Sequence, residues 1–265
     1  MDIIIAALVL GVMGLVFGLV LTATSKIFEV PSDPKRDAVR ELLPGANCGA
    51  CGHPGCDGCA DAIACGKAAP TACPVASGDV HAKIAEIMGV QKGAAADRKV
   101  ARVICQGDCN TAVNKFEYTG IKDCVAASTV NDGFKACKFA CLGLGTCVKA
   151  CQFDAIKIDP ERHIAVVDQD KCTGCGQCAA ACPKSVIAMH SVKDSILVLC
   201  RNTGKGKPVM TACKEGCIAC GMCARICPVD AITMVNNLPV IDYNKCIACG
   251  ACINNCPTNV IQDAE

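Results

Sequence analysis

An α+β architecture without a large sheet is predicted by three observations. Three cysteine runs share one spacing, Cys172/175/178/182, Cys217/220/223/227 and Cys246/249/252/256, and each ends in Cys-Pro. Short apolar segments recur at fixed offsets from these runs, as in Ile164-Ala-Val-Val167 before Lys171-Cys172 and Leu238-Pro-Val-Ile241 before Lys245-Cys246. An uncharged apolar stretch extends from Ile3 to Ala23. Together they predict one N-terminal transmembrane helix, a small cluster-binding α domain, and tandem ferredoxin-like modules that each hold two [4Fe-4S] clusters. The expected boundaries are 1–25 for the anchor, 26–99 for the N-terminal cluster domain and linker, 100–200 for an irregular ferredoxin-like module with a cysteine-rich insertion, and 201–265 for a regular two-cluster module.

The anchor is expected because a span needs about 20 apolar residues. Asp2 precedes the stretch without Lys or Arg, and no small-x-small cleavage site follows, so a cleaved signal peptide is disfavoured. Lys26, Lys35, Arg36 and Arg40 come next, which places the remainder of the chain on the cytoplasmic side of the membrane. A reducing compartment agrees with free thiols. Gly14 and Gly18 form a G-x-x-x-G, a weak sign of a membrane partner.

Pro31 and Pro34 punctuate the exit, and residues 35–43 read as a short helix ending at Pro44. The first metal site follows as Cys48-x2-Cys51-x4-Cys56 with Cys73-Pro74 further on; Cys48, Cys51, Cys56 and Cys73 are its expected ligands. Cys59 and Cys65 are expected to be small buried thiols. Val80, Ile84, Ile87 and Met88 form an amphipathic helix before Gly89, followed by a linker.

Cysteine chemistry dominates the remainder. The 27 cysteines in 265 residues are an odd number, which excludes complete disulfide pairing, and structural zinc wants pairs separated by a longer spacer. The fourth cysteine of each run ligates the other cluster of a two-cluster module. The expected sets are therefore Cys217, Cys220, Cys223 with Cys256, and Cys246, Cys249, Cys252 with Cys227. Cys137-x3-Cys141-x5-Cys147-x3-Cys151 reads as a stretched version of the motif. It gives Cys137, Cys141, Cys147 with Cys182, and Cys172, Cys175, Cys178 with Cys151. Cys105, Cys109, Cys124, Cys200 and Cys213 are left over. Val103-Ile104-Cys105 and Leu197-Val-Leu199-Cys200 each end an apolar strand, so the two are expected to approach across one sheet. A sixth cluster on Cys105, Cys109 and Cys124 with either Cys200 or Cys213 is expected; the alternative is that some bind nothing.

The formal charge of +1 points to no particular partner. Lys171, Lys184, Lys214, Arg225 and Lys245 lie beside cysteines, where they either tune reduction potential or are ordinary surface charge. The histidines His53, His81, His163 and His190 form no paired motif. No phosphate loop or dinucleotide fingerprint is present, and the dispersed basic residues give no nucleic-acid footprint.

Leu43-Pro-Gly-Ala-Asn-Cys48-Gly-Ala-Cys51-Gly with its distant Cys73-Pro74, the apolar N-terminus and the paired C-terminal runs resemble the B subunit of the membrane-bound Rnf complex, over nearly the whole chain. Cys105-Gln-Gly-Asp-Cys109 and Gly143-Leu-Gly-Thr-Cys147 resemble the longer form of this protein in anaerobic bacteria. The resemblance implies a component that takes electrons from soluble reduced ferredoxin and relays them to membrane and flavin-bearing subunits, which reduce NAD and move Na+ or H+. The chain alone is then not catalytic on NAD. The alternative is a membrane-tethered polyferredoxin serving a hydrogenase or other dehydrogenase.

Overall fold

The computed structural model describes residues 2–27, 33–90 and 97–264. Pro31 and most of the expected linker after Val90 lie outside the described residues.

Helix α1 covers Asp2–Ile27. Every side chain described on it is exposed, among them Leu8, Leu15, Phe17 and Leu21. The hydroxyls of Thr22 and Thr24 donate to the carbonyls of Gly18 and Val20, both at 2.7 Å. Among the described residues no helix is long and apolar enough to cross a membrane, so the transmembrane helix expected over residues 1–25 is not shown.

The next unit is helical. α2 (Pro34–Leu42) starts at Asp33, whose side chain accepts from the amide of Lys35, and Pro34 needs no amide partner at that position. α3 (Gly55–Ala64) and α4 (Gly78–Met88) both pack on α2; α4 is capped by Ser77 and ended by Gly89 in the left-handed conformation. Val39, Leu43, Ile63 and Ile84 form its core together with Cys56, Cys59 and Cys73. Cys65, expected to be buried, is the exposed C-cap of α3.

Two repeats of one plan follow. In the first, β1 (Lys99–Val103) pairs antiparallel with β4 (Ile187–Ser191), and the hairpin of β2 (Ile156–Ile158) and β3 (Ala165–Val167) lies between them in sequence. In the second, β5 (Ile196–Val198) pairs with β8 (Ile261–Asp263) around the hairpin of β6 (Ile232–Val235) and β7 (Leu238–Ile241). Each repeat has its own core, around Val100, Ile156 and Val186 in one and Ile196, Ile232 and Val260 in the other. Ile196 thus packs with the C-terminal repeat, ahead of the boundary expected at 201. β1 and β5 belong to different sheets, so Cys105 and Cys200 do not approach across one sheet.

Short helices carry the cysteine loops: α5 (Cys124–Thr129), α6 (Thr146–Lys149), α7 (Gln177–Ala180), α8 (Lys207–Ala212), α9 (Met222–Ile226) and α10 (Ala251–Asn254). Gly145, Gly176, Gly221 and Gly250 precede α6, α7, α9 and α10 at positive φ, each two residues before a buried cysteine. The turn recurs four times although only three cysteine runs are regular.

Candidate metal centres

In the N-terminal unit, the side-chain oxygen of Asn47 accepts the amide of Cys56 at 2.8 Å, which pins the Cys48–Cys51 loop to the start of α3. Cys59 is 1% exposed and interacts with the thiols of Cys51, Cys73 and Cys56. Burial, with the neighbouring thiols, pushes the Cys59 thiol up to about 12. One turn of α3 places Cys56 and Cys59 on the same face, a proximity that the expected four-ligand set leaves out. His81 reaches the carbonyl of Cys73 at 2.9 Å. The Cys48 carbonyl accepts from the side chain of Gln177, which lies between Cys175 and Cys178 in the first repeat.

In that repeat, burial raises the Cys178 thiol, and Cys172, Cys175 and Cys151, the set given by crossed ligation, raise it further. The amide of Ala101 on β1 donates to Cys172 Sγ at 3.4 Å, and Arg98 holds the carbonyl of Cys172 at 3.1 Å.

The second set of this repeat differs from expectation. One pocket is lined by Cys124, Cys141, Cys147 and Cys182; Cys137 is not among its lining residues. The physical reason is register. Gly143 (φ 68°) and Gly174 (φ 75°) occupy equivalent turns, as do Gly145 and Gly176, so Cys141, Cys147 and Cys151 correspond to Cys172, Cys178 and Cys182. Leu144 then stands where the motif has its second cysteine. Cys124 lines the pocket in its stead, held by the Thr146 hydroxyl, which accepts the Cys124 amide at 2.7 Å and donates to Asp123 at 2.9 Å. A Cβ on Gly143 would strike the carbonyl of His163, so the loop tolerates no side chain there.

In the C-terminal repeat, one pocket is lined by Cys217, Cys220, Cys223 and Cys256, and another by Cys227, Cys246, Cys249 and Cys252. These are the two crossed sets. Ala231 donates its amide to Cys227 Sγ at 3.3 Å.

A further pocket lies between the repeats, lined by Cys105, Cys137, Cys200 and Cys213. Both Cys200 and Cys213 contribute, Cys137 replaces Cys124, and Cys109 is elsewhere, exposed, with its thiol on the carbonyl of Glu161 at 3.1 Å. The site has an internal two-fold pattern. Cys105 and Cys200 each lie two residues beyond the first strand of their repeat, and Cys137 and Cys213 each lie four residues before its first motif cysteine. The amide of Cys141 donates to Cys105 Sγ at 3.4 Å, and the amide of Cys217 donates to Cys200 Sγ, also at 3.4 Å. Asn202 offers its side-chain amide to Cys137 Sγ at 3.5 Å. Burial pushes the Cys105 thiol up to about 12.

Of the lysines and arginines expected beside the cysteines, Lys171 and Lys245 are exposed and pair with Asp168 and Asp242 at 3.8 and 4.0 Å. Lys184 donates to the carbonyl of Asp132, and Arg225 to that of Cys220. Lys135, which the sequence did not single out, is 3% exposed.

Among the described residues no group of three or more His, Cys, Asp or Glu closes on a single metal ion. One zinc with bonds of about 2.3 Å requires sulfurs within about 4 Å of each other. Sets of four thiols around a common cavity, with amides aimed at the sulfurs, fit a [4Fe-4S] cube.

Such a fold and such sites define an iron–sulfur electron-transfer protein. Family models agree: residues 43–75 match one described as "Putative Fe-S cluster", and residues 135–189 and 216–261 each match a "4Fe-4S dicluster domain". The chain is 50% identical over 237 residues to the B subunit of the Na(+)-translocating ferredoxin:NAD(+) oxidoreductase complex of Acetobacterium woodii, covering 89% of this chain and 71% of the relative. It is 41% identical to the B subunit of the proton-translocating ferredoxin:NAD(+) oxidoreductase complex of Clostridium ljungdahlii, over 91% of this chain and 84% of that one. The B subunit of an ion-translocating oxidoreductase complex from Methanosarcina acetivorans is 40% identical over 89% of both. The chain belongs to the B-subunit family of the ion-translocating, or Rnf, oxidoreductase complexes.

Proposed function

We propose that this chain takes electrons from reduced ferredoxin and relays them to partner subunits of an ion-translocating ferredoxin:NAD oxidoreductase complex through six [4Fe-4S] centres. A cube held by four thiolates supplies a one-electron carrier; the protein supplies spacing, shielding and potential. The proposed ligand sets are Cys48/51/56/73, Cys151/172/175/178, Cys124/141/147/182, Cys105/137/200/213, Cys217/220/223/256 and Cys227/246/249/252.

The observation that carries this reading is the continuity of these sets in that order. The N-terminal site meets the next through Gln177 and Cys48. Cys147 has Cys178 among its neighbouring charges. Cys141 and Cys217 bond to sulfurs of the site between the repeats from either side. Cys223 and Cys227 share the segment of α9 and its C-cap. The shared site thus joins two modules that would otherwise be separate carriers.

Membrane attachment through α1 belongs to the same proposal. Its support is the uncharged run from Ile3 to Ala23, the exposure of every described side chain, and threonine hydroxyls satisfied by the helix's own carbonyls. With this topology the cluster-bearing units face the cytoplasm.

Rapid mixing of reduced ferredoxin with the purified complex tests the role. The reading predicts fast bleaching of the iron–sulfur absorbance of this chain before NADH appears; NADH formed by a complex lacking the chain would contradict it.

A further inference from the structure

Lys135 is a buried cation between two centres. Its side chain is 3% exposed, and its ammonium donates to the carbonyl of Gly107 at 2.6 Å. Gly107 itself lies against the sulfurs of Cys213 and Cys105, toward which a Cβ built on it would point at 3.3 and 3.6 Å. The cysteines whose charge Lys135 influences are Cys105 and Cys137 of the shared site and Cys141 of the adjacent one. Among the described residues Lys135 has no carboxylate within ion-pair distance, the eight ion pairs all involving other residues.

A buried ammonium facing only a neutral carbonyl is expensive, and folded proteins keep one there when an anionic group completes the pair. Four thiolates on an iron–sulfur cube provide that charge. The position is also asymmetric. The residue that corresponds to Lys135 by its distance before Cys213 is Thr211, whose hydroxyl bonds to the carbonyl of Lys207 in its own helix. One repeat places a buried cation against the shared site, whereas the other offers only the exposed Arg201 at its lining.

We propose that Lys135 is a positioning residue that serves as the fixed counter-charge of the Cys105/137/200/213 centre, stabilising its reduced form and raising its midpoint potential relative to a site without the cation. This rests on the reading of that site as a cluster. The consequence is an electron-holding step midway along the relay, where the two modules meet.

The test compares the full-length parent, Lys135→Met and Lys135→Arg, purified anaerobically in the complex, by iron content of this chain and by potentiometric titration followed by electron paramagnetic resonance. The parent is expected to hold about 24 irons, six cubes of four. Lys135→Met is expected to keep them, with one centre harder to reduce by at least tenfold in its reduction equilibrium, equivalent to about 59 mV for one electron. Lys135→Arg is expected to stay near the parent. If Lys135→Met loses about four irons while Lys135→Arg keeps them, the charge is needed for the cluster and the proposal stands. Loss in both variants, or no midpoint moved in a full Lys135→Met protein, overturns the counter-charge role. A parent with about 20 irons overturns the cluster reading itself.

Discussion

The amide of Cys217 donates to the sulfur of Cys200 at 3.4 Å, and this bond spans two different cysteine sets. Cys217 opens the first regular run of the C-terminal repeat, whereas Cys200 lines the cavity between the repeats. An amide dipole aimed at a thiolate favours its negative charge and orients it. The same arrangement at Cys141 and Cys105 makes the shared site a junction built from matching parts of both repeats.

Removing two ligands of that junction should remove one centre and no more. The paired substitution Cys200→Ala with Cys213→Ala is expected to lower iron from about 24 to about 20 per chain. Electrons entering one module should then fail to reach the other within a turnover, which is seen as bleaching limited to part of the absorbance. Unchanged iron would refute the assignment.

Cys124 and Cys109 are both leftover cysteines in sequence, but they should behave differently. Cys124→Ala should disturb the centre formed with Cys141, Cys147 and Cys182, altering its resonance spectrum and its iron content. Cys109→Ala, at an exposed position, should leave both as in the parent.

Cys59 sits among the thiols of the N-terminal site without belonging to the expected ligand set. Cys59→Ala should cost about 1 kcal/mol of stability, the scale of one lost buried group, and retain the iron. Loss of about four irons would make Cys59 a ligand. Iron analysis alongside thermal unfolding separates the two results.

Gln177→Ala removes the hydrogen bond from the first repeat to the Cys48 carbonyl. One such bond is worth about 0.5–1.5 kcal/mol, so the equilibrium constant for docking of the N-terminal unit should fall by a factor of about 2 to 13. Slower electron exchange between the Cys151/172/175/178 centre and the N-terminal one would report it, with both still loaded.

Metal removal should expose an alkaline weakness. Burial raises the thiols of Cys105 and Cys147 from 9.0 to about 12, and Cys178 and Cys217 to about 11, in the metal-free fold. These groups stay protonated in the folded state at a pH where the unfolded chain releases their protons. Their contribution to stability is therefore full below pH 9 and is lost as pH rises through 11 to 12. The chelated, reduced chain should melt progressively lower above pH 9, whereas the loaded protein, whose thiolates are already deprotonated on iron, should be insensitive over that range.

Much of the fold is legible in spacing alone. Cys-x2-Cys-x2-Cys-x3-Cys-Pro defines a loop and a short helix whatever surrounds it, and Val80, Ile84 and Gly89 mark the α4 helix. The middle cysteines are harder because a motif has lost one member. Counting cysteines puts Cys137 in the run, whereas the glycines at 143 and 145 carry the true register and place Leu144 at the missing position. Cys124 and Cys105 reach their sites through tertiary packing, which sequence distance does not reveal. Lys135 gives no local signal for the same reason, since its burial depends on Gly107 approaching from another loop. Lys171 and Lys245, adjacent to cysteines in sequence, point outward.

The proposed relay depends on a single four-cysteine centre that joins two two-cluster modules. A density map of the anaerobically purified complex tests it most directly. The account predicts cluster density in contact with Cys105, Cys137, Cys200 and Cys213, between the Cys124/141/147/182 and Cys217/220/223/256 centres. Well-resolved cysteines at those four positions with no density among them would contradict it.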